Sequence, residues 1–121
     1  MHCYSYSCSC DLNAAKVKAL KAEASLMDAK TRKQHPVGTG VLDYFPDALM
    51  AVAHVSFVGN EQHNPGEKLH WAREKSTDES DALIRHFLQR GTLDTDGLRH
   101  SAKVCWRALA LLQKEIEQES K

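Results

Sequence analysis

Apolar positions recur every three to four residues along most of the chain and nowhere alternate for the length of a strand, a pattern that predicts an all-α protein. The clearest stretch comes last. Leu98, Ala102, Cys105, Trp106, Leu109, Leu112 and Ile116 keep a period near 3.6, which predicts a helix capped by Asp94 or Thr95 and running to about Gln118. Before it, Ser76 and Glu79 stand three apart, the spacing at which each side chain reaches the other's free backbone N–H. A helix should therefore open here, run to Arg90 and close on Gly91. Another is predicted from the Asp43 to Asp47 region, with Asp43 as cap and Pro46 in the first turn. It passes through Leu49, Val52, Ala53, Ser56 and Phe57 to a stop at Gly59-Asn60. The first helix, from Asp11 or Asn13 to about Lys33, offers only the thin face of Leu12, Ala15, Ala19, Ala22 and Leu26. Such a face gains little from burial, so this helix either packs on a partner subunit or frays.

Two breaks divide these helices. His35-Pro36-Val37-Gly38-Thr39-Gly40 restrains and then frees the backbone, which separates a Cys-rich tail and Ala-rich helix over 1–35 from a compact helical domain over 36–121. Residues 60–75 have no sustained apolar period but carry His63, His70, Trp71 and several charges. Long irregular segments in compact domains are usually functional or mobile. Four helices with short connections imply a small antiparallel bundle with one long irregular loop, and the thin first helix suits an oligomer.

A chain of 121 residues fits one hydrophobic core. Its 16 basic and 16 acidic residues cancel, so no global field draws in a nucleic acid polymer or an anionic membrane, and any anion binding must be local. No apolar run approaches the ~20 residues of a membrane span or forms a signal peptide, so the cytosol is the expected compartment. Cys3, Cys8 and Cys10 match no common zinc spacing and read as reduced thiols of a polar tail, while Cys105 reads as a small core residue.

Asp78, Asp81 and Arg85 share one polar face of the third predicted helix, with His86 at the edge of its apolar stripe. Asp96, His100, Lys103 and Arg107 form a matching stripe on the last. If these helices are antiparallel neighbours, the stripes face each other. Carboxylates would then hold Mg²⁺, which takes a few carboxylates plus water and phosphate oxygens, and the cations would pair with phosphate. His70-Trp71 is placed to cover a base, and Glu61 and His63 to complete a metal shell. Each residue also has a plainer reading. Asp81 with Arg85 is an ordinary surface ion pair, Trp71 a core anchor, His54 structural, and His100 a satisfied histidine at the core edge. No Walker loop, Gly-x-Ser-x-Gly elbow or His-Glu-x-x-His helix is present, which argues against covalent catalysis.

Taken in order, Gly59-Asn60-Glu61-Gln62-His63-Asn64, His70-Trp71, Asp78-x-x-Asp81-Ala82-x-x-Arg85-His86, Asp94-x-Asp96-Gly97-x-Arg99-His100 and Trp106-Arg107-Ala108 resemble the N-terminal domains of phage-associated dATP/dGTP diphosphohydrolases, over roughly residues 36–113. The resemblance implies a small helical domain similar in style to all-α nucleoside triphosphate pyrophosphohydrolases. Those enzymes use Mg²⁺ to direct water at the α/β phosphate linkage, release monophosphate and pyrophosphate, and work as oligomers. Enzymes of the MazG type carry Glu-x-x-Glu followed by Glu-x-x-Asp, whereas only Asp78-x-x-Asp81 has a comparable spacing here.

The expected function is a metal-dependent purine deoxynucleoside triphosphate pyrophosphohydrolase in the cytoplasm of a phage-infected bacterial host. Asp78 and Asp81, with Glu61 or Asp96, would hold Mg²⁺ or Mn²⁺. His86, His100 and Asp81 would carry the chemistry, and His63, Asn64, His70, Trp71, Lys75, Arg85, Lys103 and Arg107 would contact the nucleotide. The partners expected are a purine nucleotide and further copies of the chain, with no nucleic acid polymer and no membrane. The alternatives are a module that sequesters a nucleotide uncleaved and a docking subunit for a separate enzyme.

Overall fold

The computed structural model describes residues 28–120, and the described chain is helical apart from its turns and one isolated bridge. Helix α1 (Ala29–Lys33) is a short segment whose N-cap, Asp28, accepts the Thr31 amide at 2.7 Å. The rest of the predicted first helix, and Cys3, Cys8 and Cys10, lie outside the described residues. A π-helical turn at Gly38–Leu42 then leads into α2 (Pro46–His63). Proline suits the first turn because its missing N–H would have no partner there.

Helix α2 does not stop at Gly59-Asn60 but continues to His63, with Asn64 as C-cap. A helical glycine costs about 1 kcal/mol relative to alanine, and Asn60 offsets that loss. Its side-chain amide donates to the Glu67 carbonyl at 2.9 Å, its side-chain oxygen accepts from Asn64 at 3.3 Å, and its own carbonyl accepts the Asn64 amide at 2.7 Å. Asn60 and Asn64 are both buried.

Helix α3 (Glu79–Leu88) ends at Gln89 rather than Arg90, and Gly91, with φ 84°, belongs to the following turn. The Ser76 hydroxyl meets the Glu79 carboxylate itself, so the two side chains bond each other and Asp78 takes the N-cap position. Helix α4 (His100–Glu119) starts later than predicted because residues 92–100 form a tight reversal. The Asp94 amide donates to the Leu98 carbonyl at 2.7 Å, the His100 amide to Thr92 at 3.1 Å, and Leu93 bridges Arg99. Asp94 and Asp96 accept the amides of Thr95 and Leu98, so Asp94, taken for a helix cap, instead helps to close this turn together with Asp96. Gly97 sits in it at φ 83°, a conformation costly for other residues.

Helix α4 packs on both α3 and α2. Glu79 meets Lys114 while His86 meets His100, which makes α3 and α4 antiparallel. Trp106 reaches Ser56 and Asp96 reaches Gln62, so α2 also runs against α4. Among the described residues the buried apolar side chains are Val52, Ala82, Ala102 and Ala110, and the small alanines let helix backbones approach closely. Leu109, Leu112 and Ile116 of the predicted apolar stripe are about half exposed. Cys105 is exposed too, contrary to its reading as a core residue.

The seam between α3 and α4 is instead polar. Glu79, 5 % exposed, accepts from Ser76 and from Lys114 at 2.9 Å, with the Arg107 guanidinium at 3.5 Å. Burial pushes its carboxyl upward, but the Ser76 and Lys114 hydrogen bonds outweigh that and hold it below its usual value. Glu79→Gln is expected to cost about 2–3 kcal/mol at pH 7, read by chemical denaturation, because it takes the buried counter-charge away from the part-buried Lys114 and Arg107. A depressed carboxyl contributes stability above its unfolded value of 4.5 and loses it as pH falls through the lower folded value. The gap between variant and wild type should therefore close on acidification below 4.5.

Candidate functional site

A cleft of about 770 Å³ opens between α2, the loop that follows it, and α4. Helix α2 lines it with Ser56, Asn60, His63 and Asn64, the loop with His70, Trp71 and Lys75, and α4 with Lys103, Trp106 and Arg107. Asp78 and His86 enter from α3 and its cap, and Asp96 from the 92–100 reversal.

The aromatic part of the wall is anchored. Trp71 and Trp106 meet edge to face, with ring centroids 5.6 Å apart, and the Trp106 indole donates to Ser56 at 2.7 Å. The Arg73 guanidinium lies 4.1 Å from the Trp71 ring centre while bonding Glu117 at 3.1 Å. The long loop is thus tied to α4, and through the Asn60–Glu67 bond to α2, which makes it part of the wall.

The charged part is a set of neutralised cations. Lys103 bridges Asp94 at 2.7 Å and Asp96 at 2.8 Å. The Lys103 hydrogen bond, followed by the Thr95 amide, holds Asp94 down to about 2. The same lysine lowers Asp96, and the two carboxylates raise Lys103 against the effect of its burial. Arg107, one turn further along α4, donates to the Ser76 hydroxyl at 2.8 Å and faces Glu79 at 3.5 Å and Asp78 at 4.0 Å.

At the other end of the α3–α4 seam, His86 Nδ1 and His100 Nδ1 lie 2.8 Å apart. His100 is 5 % exposed. Burial, then the neighbouring His100 and Lys103, push His86 below its usual value, so its imidazole is neutral at pH 7.

Of the residues expected in the site, His63, Asn64, His70, Trp71, Lys75, Asp78, His86, Asp96, Lys103 and Arg107 line this one cleft. Glu61, Asp81, Arg85 and His100 do not. Glu61 and Asp81 are exposed, Arg85 reaches Asp78 at 3.5 Å along the outer surface of α3, and His100 lies behind His86. The four carboxylates expected to share Mg²⁺ therefore do not converge. Among the described residues, the group whose ligand atoms gather, all within 4.8 Å of one another, is His86, Asp94 and His100. Asp94 was legible as a cap and as the first position of the Asp94-x-Asp96-Gly97 motif but not as a site residue, and Ser76 and Glu79 only as a capping box. Their contribution to the site comes from the pairing of α3 with α4, which local spacing does not reveal.

The domain is thus a small all-α unit with a cleft lined by paired cations and carboxylates. The family model described as dATP/dGTP diphosphohydrolase, N-terminal, matches residues 17–121, and the chain belongs to that family. The match takes in residues 17–35 as well as the motifs further along. No curated protein and no solved structure matches the chain.

Asn60 carries the loop side of this wall. Asn60→Ala should cost about 1–3 kcal/mol, because it removes the side-chain hydrogen bonds to the Glu67 carbonyl and from the Asn64 side-chain amide. Hydrogen exchange should accelerate locally at residues 64–67 before global unfolding.

Proposed function

We propose that the chain binds purine deoxynucleoside triphosphates in the α2–α4 cleft and hydrolyses them, with a divalent cation, to monophosphate and pyrophosphate. The observation that carries this reading is the pair Lys103 and Arg107, one helical turn apart, both facing the cleft and both held on carboxylates. A triphosphate offers the same cations stronger, multidentate partners, so it can take over these contacts without bringing an unpaired charge into the site. Lys75 lines the same cleft, and about 770 Å³ lies within the usual range for small-ligand sites. Trp71, Trp106 and His70 supply the flat surfaces that a purine covers. His86, neutral and on the cleft wall, orients the attacking water or the leaving group, with His100 positioning it from behind.

The divalent cation belongs to the proposal through kinship with the family. Asp78 and Asp96 face the cleft, but each is already paired with a cation, and Glu61 and Asp81 point elsewhere. Glu61, Asp78, Asp81 and Asp96 do not fit one Mg²⁺ shell within a single chain. The half-exposed Leu109, Leu112 and Ile116 on α4 support assembly into a homo-oligomer.

The scattered carboxylates favour a second reading, in which the cleft holds a nucleotide without cleaving it. Incubating the purified chain with each dNTP, with and without Mg²⁺ or Mn²⁺, and chromatographing both solution and protein-bound fractions separates the two. Hydrolysis predicts metal-dependent monophosphate and pyrophosphate from dATP or dGTP, and sequestration predicts intact ligand recovered from the protein. Lys103→Met should raise KM about tenfold or more, since a charge-assisted hydrogen bond is worth ~1.5–3 kcal/mol. Unchanged KM and unchanged nucleotide affinity in Lys103→Met would overturn the assignment of phosphate to this cleft.

A further inference from the structure

We infer that His86, Asp94 and His100 form a binding site for a divalent transition-metal ion, of the Mn²⁺, Fe²⁺, Co²⁺ or Zn²⁺ class, at the edge of the cleft. The inference rests on the nucleotide reading for the metal's use but not for its existence. Two imidazoles and one carboxylate gather with their ligand atoms within 4.8 Å of one another. Two donors on one ion, each at about 2.1 Å and at right angles, stand about 3 Å apart. His86 Nδ1 and His100 Nδ1 stand 2.8 Å apart. The wider separations in the set, up to 4.8 Å, exceed that spacing by up to about 2 Å, a difference that rotation of the Asp94 side chain can close.

The scaffold fixes all three donors. His86 closes the last turn of α3, His100 opens α4, and Asp94 sits in the reversal that ends at the His100 amide. Asp94 accepts from the Thr95 amide on one oxygen and from Lys103 on the other, and each oxygen keeps a second lone pair for an ion. The chemistry of the set selects the metal. Mg²⁺ prefers oxygen ligands in an octahedron, whereas two imidazoles and a carboxylate suit transition ions and leave further positions open.

The local charge permits a cation: two carboxylates, Asp94 and Asp96, face the single ammonium of Lys103, and Arg107, whose charge also reaches His86, is offset by Glu79 and Asp78. Lys103 is also the site's competitor, since it holds Asp94 and adds positive charge beside it. His86 and Asp96 line the cleft, so an ion there faces a bound triphosphate, and its open positions are available to phosphate or water.

The test uses all 121 residues with Cys3, Cys8, Cys10 and the exposed Cys105 replaced by Ser, so that thiolates offer no alternative ligands, and Mn²⁺ alone without nucleotide. Mn²⁺ should bind, as read by loss of the free-ion electron paramagnetic resonance signal. It should broaden the imidazole proton resonances of His86 and His100 before those of the other five of the chain's seven histidines. His86→Gln and Asp94→Asn, each checked for native helicity by circular dichroism, should weaken Mn²⁺ binding at least about tenfold. His100 is buried and its variant is not relied on. Lys103→Met should tighten binding, because it frees Asp94 and removes a neighbouring positive charge. Mn²⁺ affinity unchanged in folded His86→Gln and Asp94→Asn, or broadening spread evenly over the histidines, would overturn the site. Mn²⁺ held at His86 and His100 by a chain that cleaves no dNTP would leave this site standing and remove the hydrolase reading alone.

Discussion

The buried carboxylate of Glu79 organises this domain, because it joins the start of α3 to the second half of α4 through Lys114, Arg107 and Ser76. Buried charge is costly to leave unpaired, so these partners fix the register between the two helices more tightly than alanine packing can. Once that register is set, the opposite end of α3 has to meet the opening of α4, and His86 comes to His100. The apolar contacts beneath are small, chiefly Ala82, Ala102 and Ala110, and act as spacers that let the polar groups reach one another.

The cleft inherits its electrostatics from the same arrangement. Arg107 faces both Glu79 at the seam and Asp78 at the cleft, so it belongs to fold and site together. Lys103 occupies the equivalent place one turn earlier, facing the acidic turn of Asp94 and Asp96. Cations held on carboxylates keep their position while remaining available for exchange, since phosphate can replace one anionic partner with another. The wall opposite is held rigid by hydrogen bonds from Asn60 and by Trp71 packed between Trp106 and Arg73, an arrangement suited to a planar ligand.

The large apolar residues left exposed along α4 show that the described helices cover only part of the stripe that the sequence displays. Among the described residues, the four buried apolar side chains are small or medium and give little hydrophobic stabilisation. Polar pairing and tight loop anchoring therefore bear a larger share of the structure here than in most helical bundles.

The all-α class, the approximate position of each long helix among the described residues and the gathering of most cleft-lining polar residues between 59 and 107 were legible in the sequence, because helical periodicity and breaker residues act over a few neighbours. The motifs also carried the kinship to the dATP/dGTP diphosphohydrolase N-terminal family. Helix ends were less legible. Asn60 extends α2 through bonds to Glu67 and Asn64, and Asp94 and Asp96 close a reversal where a cap was expected, so the same side chains had two local uses and the surrounding structure chose between them. The grouping of charges was decided by tertiary structure alone. Asp81 and Arg85 have the spacing of an ion pair, yet Arg85 reaches back to Asp78, while Asp94 joins two histidines because a reversal and an antiparallel crossing bring three distant positions together. Spacing along a helix tells which residues share a face, but only the partner helix and its register determine what that face meets.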